Sequence, residues 1–386
     1  MTFSIAPGKG GGAAVVAVLL VLLVGCQQLR LAEPLQPSRT TAAPPPPLEQ
    51  AWRTDVGAAF GPIALLPTND FLVVATRAGD VSIVTPDGRL RGKVRLGNSI
   101  EGPVALVDGR RVVVALDGTA WGVVAYDLME GRIAWRALRR VAHPAGVVVA
   151  GGIVVAPARD GWVRGLDAGT GEERWRFQAG ADTAAFVAPP ILLPDGSVAV
   201  ADIRGRVAAL DPATGQARWR ADVGAPVYTA MGVGEGFLVV PTTRATLAAL
   251  DARTGAERWT HTASAPHVRY GVPTVTQGAV FVGATDGRFR RLDAATGTET
   301  WGYASDGSVS AAPLVAGGVV YVGTMDERLV ALDTAGGTER WALETEGRVR
   351  TTPVLFGGLL VVGMEPQHVR AYRPAGAVVA RAGETR

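Results

Sequence analysis

A chain of 386 residues that is 48% hydrophobic is too apolar to be disordered, so its 50 glycines and 25 prolines read as turns between many short strands. The formal net charge of +3 is close to neutral, and the basic residues, all arginine except Lys9 and Lys93, are scattered among 35 acidic ones. That distribution argues against a nucleic-acid surface, and a single cysteine, Cys26, excludes an internal disulfide framework.

At the N-terminus, Lys9 precedes an apolar run over 13–24, followed by Leu23-Val24-Gly25-Cys26 with small residues before the cysteine. The run is shorter than the roughly 20 residues a membrane-crossing helix needs. It reads as a secretory signal over 1–25 ending in a lipobox. The arrangement resembles that of bacterial lipoproteins, which implies lipid attachment at Cys26, and Gln27 after the cysteine implies sorting to the outer membrane. Residues 26–50 carry Pro44 to Pro47 in a row and no periodic apolar pattern, and are expected to form an extended tether.

Ala51-Trp52-Arg53-Thr54-Asp55-Val56-Gly57 resembles the last strand of a repeat unit without the three that should precede it. Further on, the spacing Asp-x-x-x-Gly-x-x-x-Trp recurs six times, at intervals of 40 to 44 residues, which is the signature of a repeat architecture. The copies are Asp127/Gly131/Trp135, Asp167/Gly171/Trp175, Asp211/Gly215/Trp219, Asp251/Gly255/Trp259, Asp293/Gly297/Trp301 and Asp333/Gly337/Trp341. An intermediate copy has decayed near Pro86-Asp87-Gly88 and Lys93.

The clearest unit, 308–343, predicts four antiparallel strands at 310–315, 319–323, 328–332 and 338–342, which is one propeller blade. Asp160-Gly161, Asp195-Gly196 and Asp286-Gly287 are hairpin signals. In the motif, Asp accepts backbone N–H groups in an Asx turn, Gly supplies a left-handed conformation, and Trp is expected to pack on the glycine turn of the adjacent blade. Arginines beside the tryptophans read as rim residues.

After Trp341, strands at 349–355, 359–363 and 369–372 lack a fourth member, which Trp52 supplies. The expectation is an all-β, eight-bladed propeller over 51–374, closed by the N-terminal strand around Trp52 and followed by a tail over 375–386. The tail residues 377–380 compete for that closing position, and seven blades would result if the unit around 71–94 were something else.

The repeat resembles the PQQ-type (quinoprotein-like) β-propeller, whose Ala-x-Asp-x-x-x-Gly-x-x-x-Trp signature is seen from Ala209-Leu210-Asp211 to Trp219, and the resemblance covers 52–373. With the lipobox, tether and opening strand, the chain resembles the BamB family, lipoprotein subunits of the machinery that folds β-barrel proteins into the outer membrane. The resemblance implies a non-catalytic scaffold on the periplasmic face, docking on BamA-like periplasmic domains and holding unfolded outer-membrane proteins. The loop entries Ala181-Asp182-Thr183-Ala184 and Pro226-Val227-Tyr228 do not match that family's contacts.

An enzyme is the less favoured reading, because PQQ dehydrogenases add a vicinal cysteine pair, calcium ligands and a tryptophan floor under the quinone. Trp121 and Trp162 have no such ligands beside them, and His143, His261, His267 and His368 fall in no ligand spacing. No cofactor or metal is expected. A propeller binding a polysaccharide or another envelope protein remains open, and the propeller body is expected to be monomeric.

Overall fold

The computed structural model describes residues 29–40, 42–118 and 122–376. Cys26, Gln27, the signal over 1–25, Trp121 and the tail residues 377–380 lie outside the described residues.

The described residues form eight four-stranded antiparallel sheets, and these are the blades of a propeller. They span 65–95, 105–137, 148–177, 191–222, 232–262, 274–304 and 314–344, and the eighth joins 354–374 to Leu48–Asp55. In the seventh blade the strands are Leu314–Ala316, Val319–Gly323, Arg328–Asp333 and Glu339–Glu344. Its first strand starts after Pro313, which has no N–H to give to a ladder. The second strand is buried along its whole length and the fourth is half exposed, so apolar content falls from axis to rim.

Stacking buries the sheet faces against each other in eight apolar clusters, one at each blade–blade interface. The ring closes where Phe60, in the connection leading into the first blade, and Leu72 of that blade meet Phe356 and Val361 of the eighth. Closure of the eighth sheet is antiparallel pairing of Leu48–Asp55 with His368–Pro374, in which Trp52 faces Ala371. The early unit around Lys93 is a complete blade, with strands Leu65–Pro67, Leu72–Ala75, Asp80–Val84 and Leu90–Arg95.

The segment read as an extended tether is instead packed on the body over part of its length. Leu29, Leu31 and Leu35 are buried, Leu31 N donates to Leu128 O at 2.7 Å, and Leu35 N donates to Gly109 O at 2.6 Å. The segment forms neither helix nor long strand, so no period betrays it. The closing strand also begins at Leu48, three residues earlier than position 51, because Leu48 is apolar and buried.

Antiparallel order gives the propeller two different ends. Hairpins joining first to second and third to fourth strands lie on one end, called here the turn face. Hairpins joining second to third strands and the connections between blades lie on the other, the loop face.

Candidate functional site

The repeated motif builds a fastener between blades. In each of the six motif hairpins the Asp Oδ1 accepts two backbone N–H groups, as Asp211 does from Ala213 at 3.0 Å and Thr214 at 3.2 Å. The Gly N–H closes the turn onto the Asp carbonyl, and Gly215 does so at 2.8 Å with φ of 72°. A β-bulge follows: Trp219 pairs with Ala209 and Ala217 with Leu210, leaving Arg218 unpaired in the ladder. The bulge turns Arg218 back onto Asp211 at 2.9 Å, and Arg174 reaches Asp167 at 2.8 Å in the same way. Arg258 and Arg340 pair with Asp251 and Asp333 likewise. The Arg174 guanidinium and the turn N–H groups hold the Asp167 carboxyl down to about 2.

Each indole then lies on the glycine of the next blade. Trp52 covers Gly88, Trp135 covers Gly171, Trp175 covers Gly215, Trp219 covers Gly255, Trp259 covers Gly297 and Trp301 covers Gly337. Each indole N–H donates to the carbonyl one residue after the turn's Asp position, from Pro86 for Trp52 at 2.8 Å to Thr334 for Trp301 at 3.1 Å. Among the described residues Trp341 has no such partner, since the eighth blade is split between the chain's two ends; it packs near Ala43, Leu48 and Tyr372.

Gly131 presents the complementary gap, because the first blade has Gly92, paired across the ladder with Ile83, where the tryptophan belongs. The N-terminal segment fills it. Arg30 Cβ is the nearest atom to a Cβ built on Gly131, and Leu29 packs on Gly92. Leu31 N–H reaches Leu128 O, the carbonyl that an indole would have taken. Sequence reasoning missed these leucines, although Leu29-Arg30-Leu31 and Leu35 were the apolar residues available in an otherwise polar stretch.

The central channel opens differently at its two ends. At the turn face its lining is apolar, including Leu66, Leu106, Val149, Leu192 and Met231, with Pro37 of the N-terminal segment at the mouth. At the loop face charged side chains surround it: Arg77 pairs with Glu101 at 2.9 Å, Arg159 with Asp117 at 3.2 Å, and Arg269 lies nearby. Tyr228 stands beside this mouth, 54% exposed, while Val227 under it is fully buried. Asp182 in the 181–184 loop accepts from Arg206, whose Nε pairs with Asp202 at 2.7 Å. None of the motif residues faces the mouth, so the fasteners and the loop face are separate features.

The residues present do not fit a calcium-bound quinone. Among the described residues no three His, Cys, Asp or Glu side chains converge on a cation site, and the acidic groups at the mouth are engaged by arginines. The indoles of Trp52, Trp135, Trp175, Trp219, Trp259 and Trp301 are committed to blade turns, and Trp162 sits under Arg176 at 5.6 Å. Arg290 is buried against Asp286 and Tyr270. His143 is fully buried, and its Nδ1–H donates to Pro157 O at 2.9 Å. Burial lowers its pKa to about 4, which keeps it neutral. His261 contacts Gly297 O at 3.0 Å, and Arg53 donates to His368 Nε2 at 2.7 Å, so these histidines are structural.

A family model described as outer membrane protein assembly factor BamB matches residues 48–182, 159–270, 203–315 and 304–380, which run through every blade. Among solved structures the chain is similar to BamB from Moraxella catarrhalis, at 20% identity and a TM-score of 0.70, over 86% of this chain and 99% of that one. It is similar to the computationally designed Ika8 protein at 19% identity and a TM-score of 0.69, over 84% and 100%. It is also similar to quinohemoprotein alcohol dehydrogenase from Comamonas testosteroni at 14% identity and a TM-score of 0.71, over 87% and 78%. At these identities the structural likeness establishes the fold alone. No match was found among curated protein sequences.

Proposed function

Because the chain belongs to the family described as outer membrane protein assembly factor BamB, we propose that it is a lipid-anchored binding subunit on the periplasmic face of the outer membrane. It assists assembly of β-barrel proteins there without catalysing a reaction. Cys26 carries the lipid, and the propeller offers rigid surfaces to BamA-like periplasmic domains and to unfolded barrel proteins.

The observation that carries this reading is the loop face. Tyr228 is held out on the fully buried Val227 beside ion-paired arginines and carboxylates. A rigid aromatic next to charges of both signs is the composition of a protein-recognition patch. A row of aromatics, as a glycan-binding end would need, is not found there: among the described residues the exposed large apolar side chains are Leu90, Leu192 and Tyr228.

Crosslinking in intact cells followed by purification of this chain tests the reading. Recovery of BamA supports it, and an efficient crosslinking reaction that recovers the chain without BamA would sink it.

A further inference from the structure

Resting on the reading that Cys26 carries the lipid, we infer that the turn face of the propeller is apposed to the phospholipid bilayer. The loop face with Tyr228 then points away from the membrane. Cys26 precedes Leu29 by three residues, and an extended chain covers at most about 3.5 Å per residue, so the lipid sits within roughly 10 Å of Leu29.

Leu29 is no part of a free leash. It is 1% exposed, its carbonyl accepts the Tyr126 hydroxyl at 2.9 Å, and a Cβ on Gly92 would meet its Cδ1 at 2.8 Å. The next two residues are fixed as well, by Arg30 Nε to Met129 O at 2.8 Å and by Leu31 N to Leu128 O at 2.7 Å. Those carbonyls belong to the third-to-fourth hairpin of the second blade, on the turn face. The segment then stays on that face, with Leu35 on Gly109 and Pro37 bridged to Thr68. The anchor is therefore pinned to one end of the propeller, and a strand of six residues, about 20 Å long, separates that end from the other.

A second observation points the same way. Two of the exposed large apolar side chains, Leu90 at 45% and Leu192 at 43%, lie on the turn face. Leu90 opens the strand Leu90–Arg95, two residues before the Gly92 on which Leu29 packs, so an apolar side chain stands beside the anchor point. A bilayer held by so short a link against that rim would cover Leu90.

The test uses the full lipidated protein in vesicles of phosphatidylethanolamine and phosphatidylglycerol with a nitroxide-headgroup lipid as quencher. Lipidation of Cys26 leaves no other thiol, so Leu90→Cys and Tyr228→Cys each give a unique site for a fluorescent probe. The expected result is loss of fluorescence at position 90 and none at position 228. A flexible insertion of about twenty Gly and Ser residues between Gln28 and Leu29 lengthens the leash without touching the packing, and should abolish quenching at 90 while the protein still floats with vesicles. Equal quenching at both sites, none at either, or persistence after the insertion would overturn the orientation. The mass of the mature protein separates the two readings: unlipidated protein that does not float refutes the anchorage itself, whereas lipidated, floating protein with symmetric quenching refutes only the orientation.

Discussion

Trp219 lays its indole on Gly255 of the neighbouring blade so closely that a Cβ on that glycine would come within 2.5 Å of the ring. The same contact, repeated from Trp52 on Gly88 to Trp301 on Gly337, ties blade to blade on the turn face. What the motif does is therefore mechanical, and its strength can be measured directly.

Gly255→Ala meets two obstacles, a φ of 73° and the indole ring. Left-handed backbone at a residue with a side chain costs about 1–2 kcal/mol, and overpacking adds about 1–3 kcal/mol. Gly317→Ala is the control, since its φ is 59° but nothing lies within 4 Å of an added Cβ. Urea midpoints should fall clearly more for Gly255→Ala than for Gly317→Ala; equal shifts would refute the ring contact.

Trp219→Phe keeps an aromatic ring but removes the N–H that reaches Ala252 O at 3.1 Å. The loss should be about 1 kcal/mol, against about 3–5 kcal/mol for Trp219→Ala, which also empties the interface. Equilibrium denaturation of the two variants checks the ratio.

Leu29→Ala and Leu31→Ala should each destabilise the protein by about 2–3 kcal/mol, as core truncations do, because these leucines fill the gap left where Gly92 stands in place of a tryptophan. Residues of a free tether would give no change in the denaturation midpoint.

The fasteners were legible in the sequence because each member acts locally. Asp211 and Gly215 shape one hairpin and Trp219 has a partner in the next repeat, whereas Arg218, read as a rim residue, is turned back onto Asp211 by a bulge that breaks the strand alternation. The N-terminal plug was not legible, since Leu29 meets Tyr126 97 residues further along the chain, in a stretch with no period. The loop-face mouth was hidden for a related reason. Arg77, Asp117 and Arg159 sit in the second-to-third hairpins of three different blades, and only closure of the ring brings them together.

His143 makes stability depend on pH. Burial lowers its folded pKa to about 4, below the unfolded value near 6.5. Its contribution is fully present above pH 6.5 and is lost as pH falls toward 4, reaching about 3 kcal/mol. His143→Asn should flatten the stability profile in that window; an unchanged slope would mean that the ring takes up its proton alike in the folded and unfolded protein.

Site-specific photo-crosslinking from Tyr228 in the native envelope tests the proposed role most directly. A photoreactive residue there should crosslink to the periplasmic domains of BamA, while the same residue at Leu90 should not. Crosslinks to BamA from Leu90 alone, or none from Tyr228 with the lipidated protein present at its normal level, would contradict a binding subunit that works through its loop face.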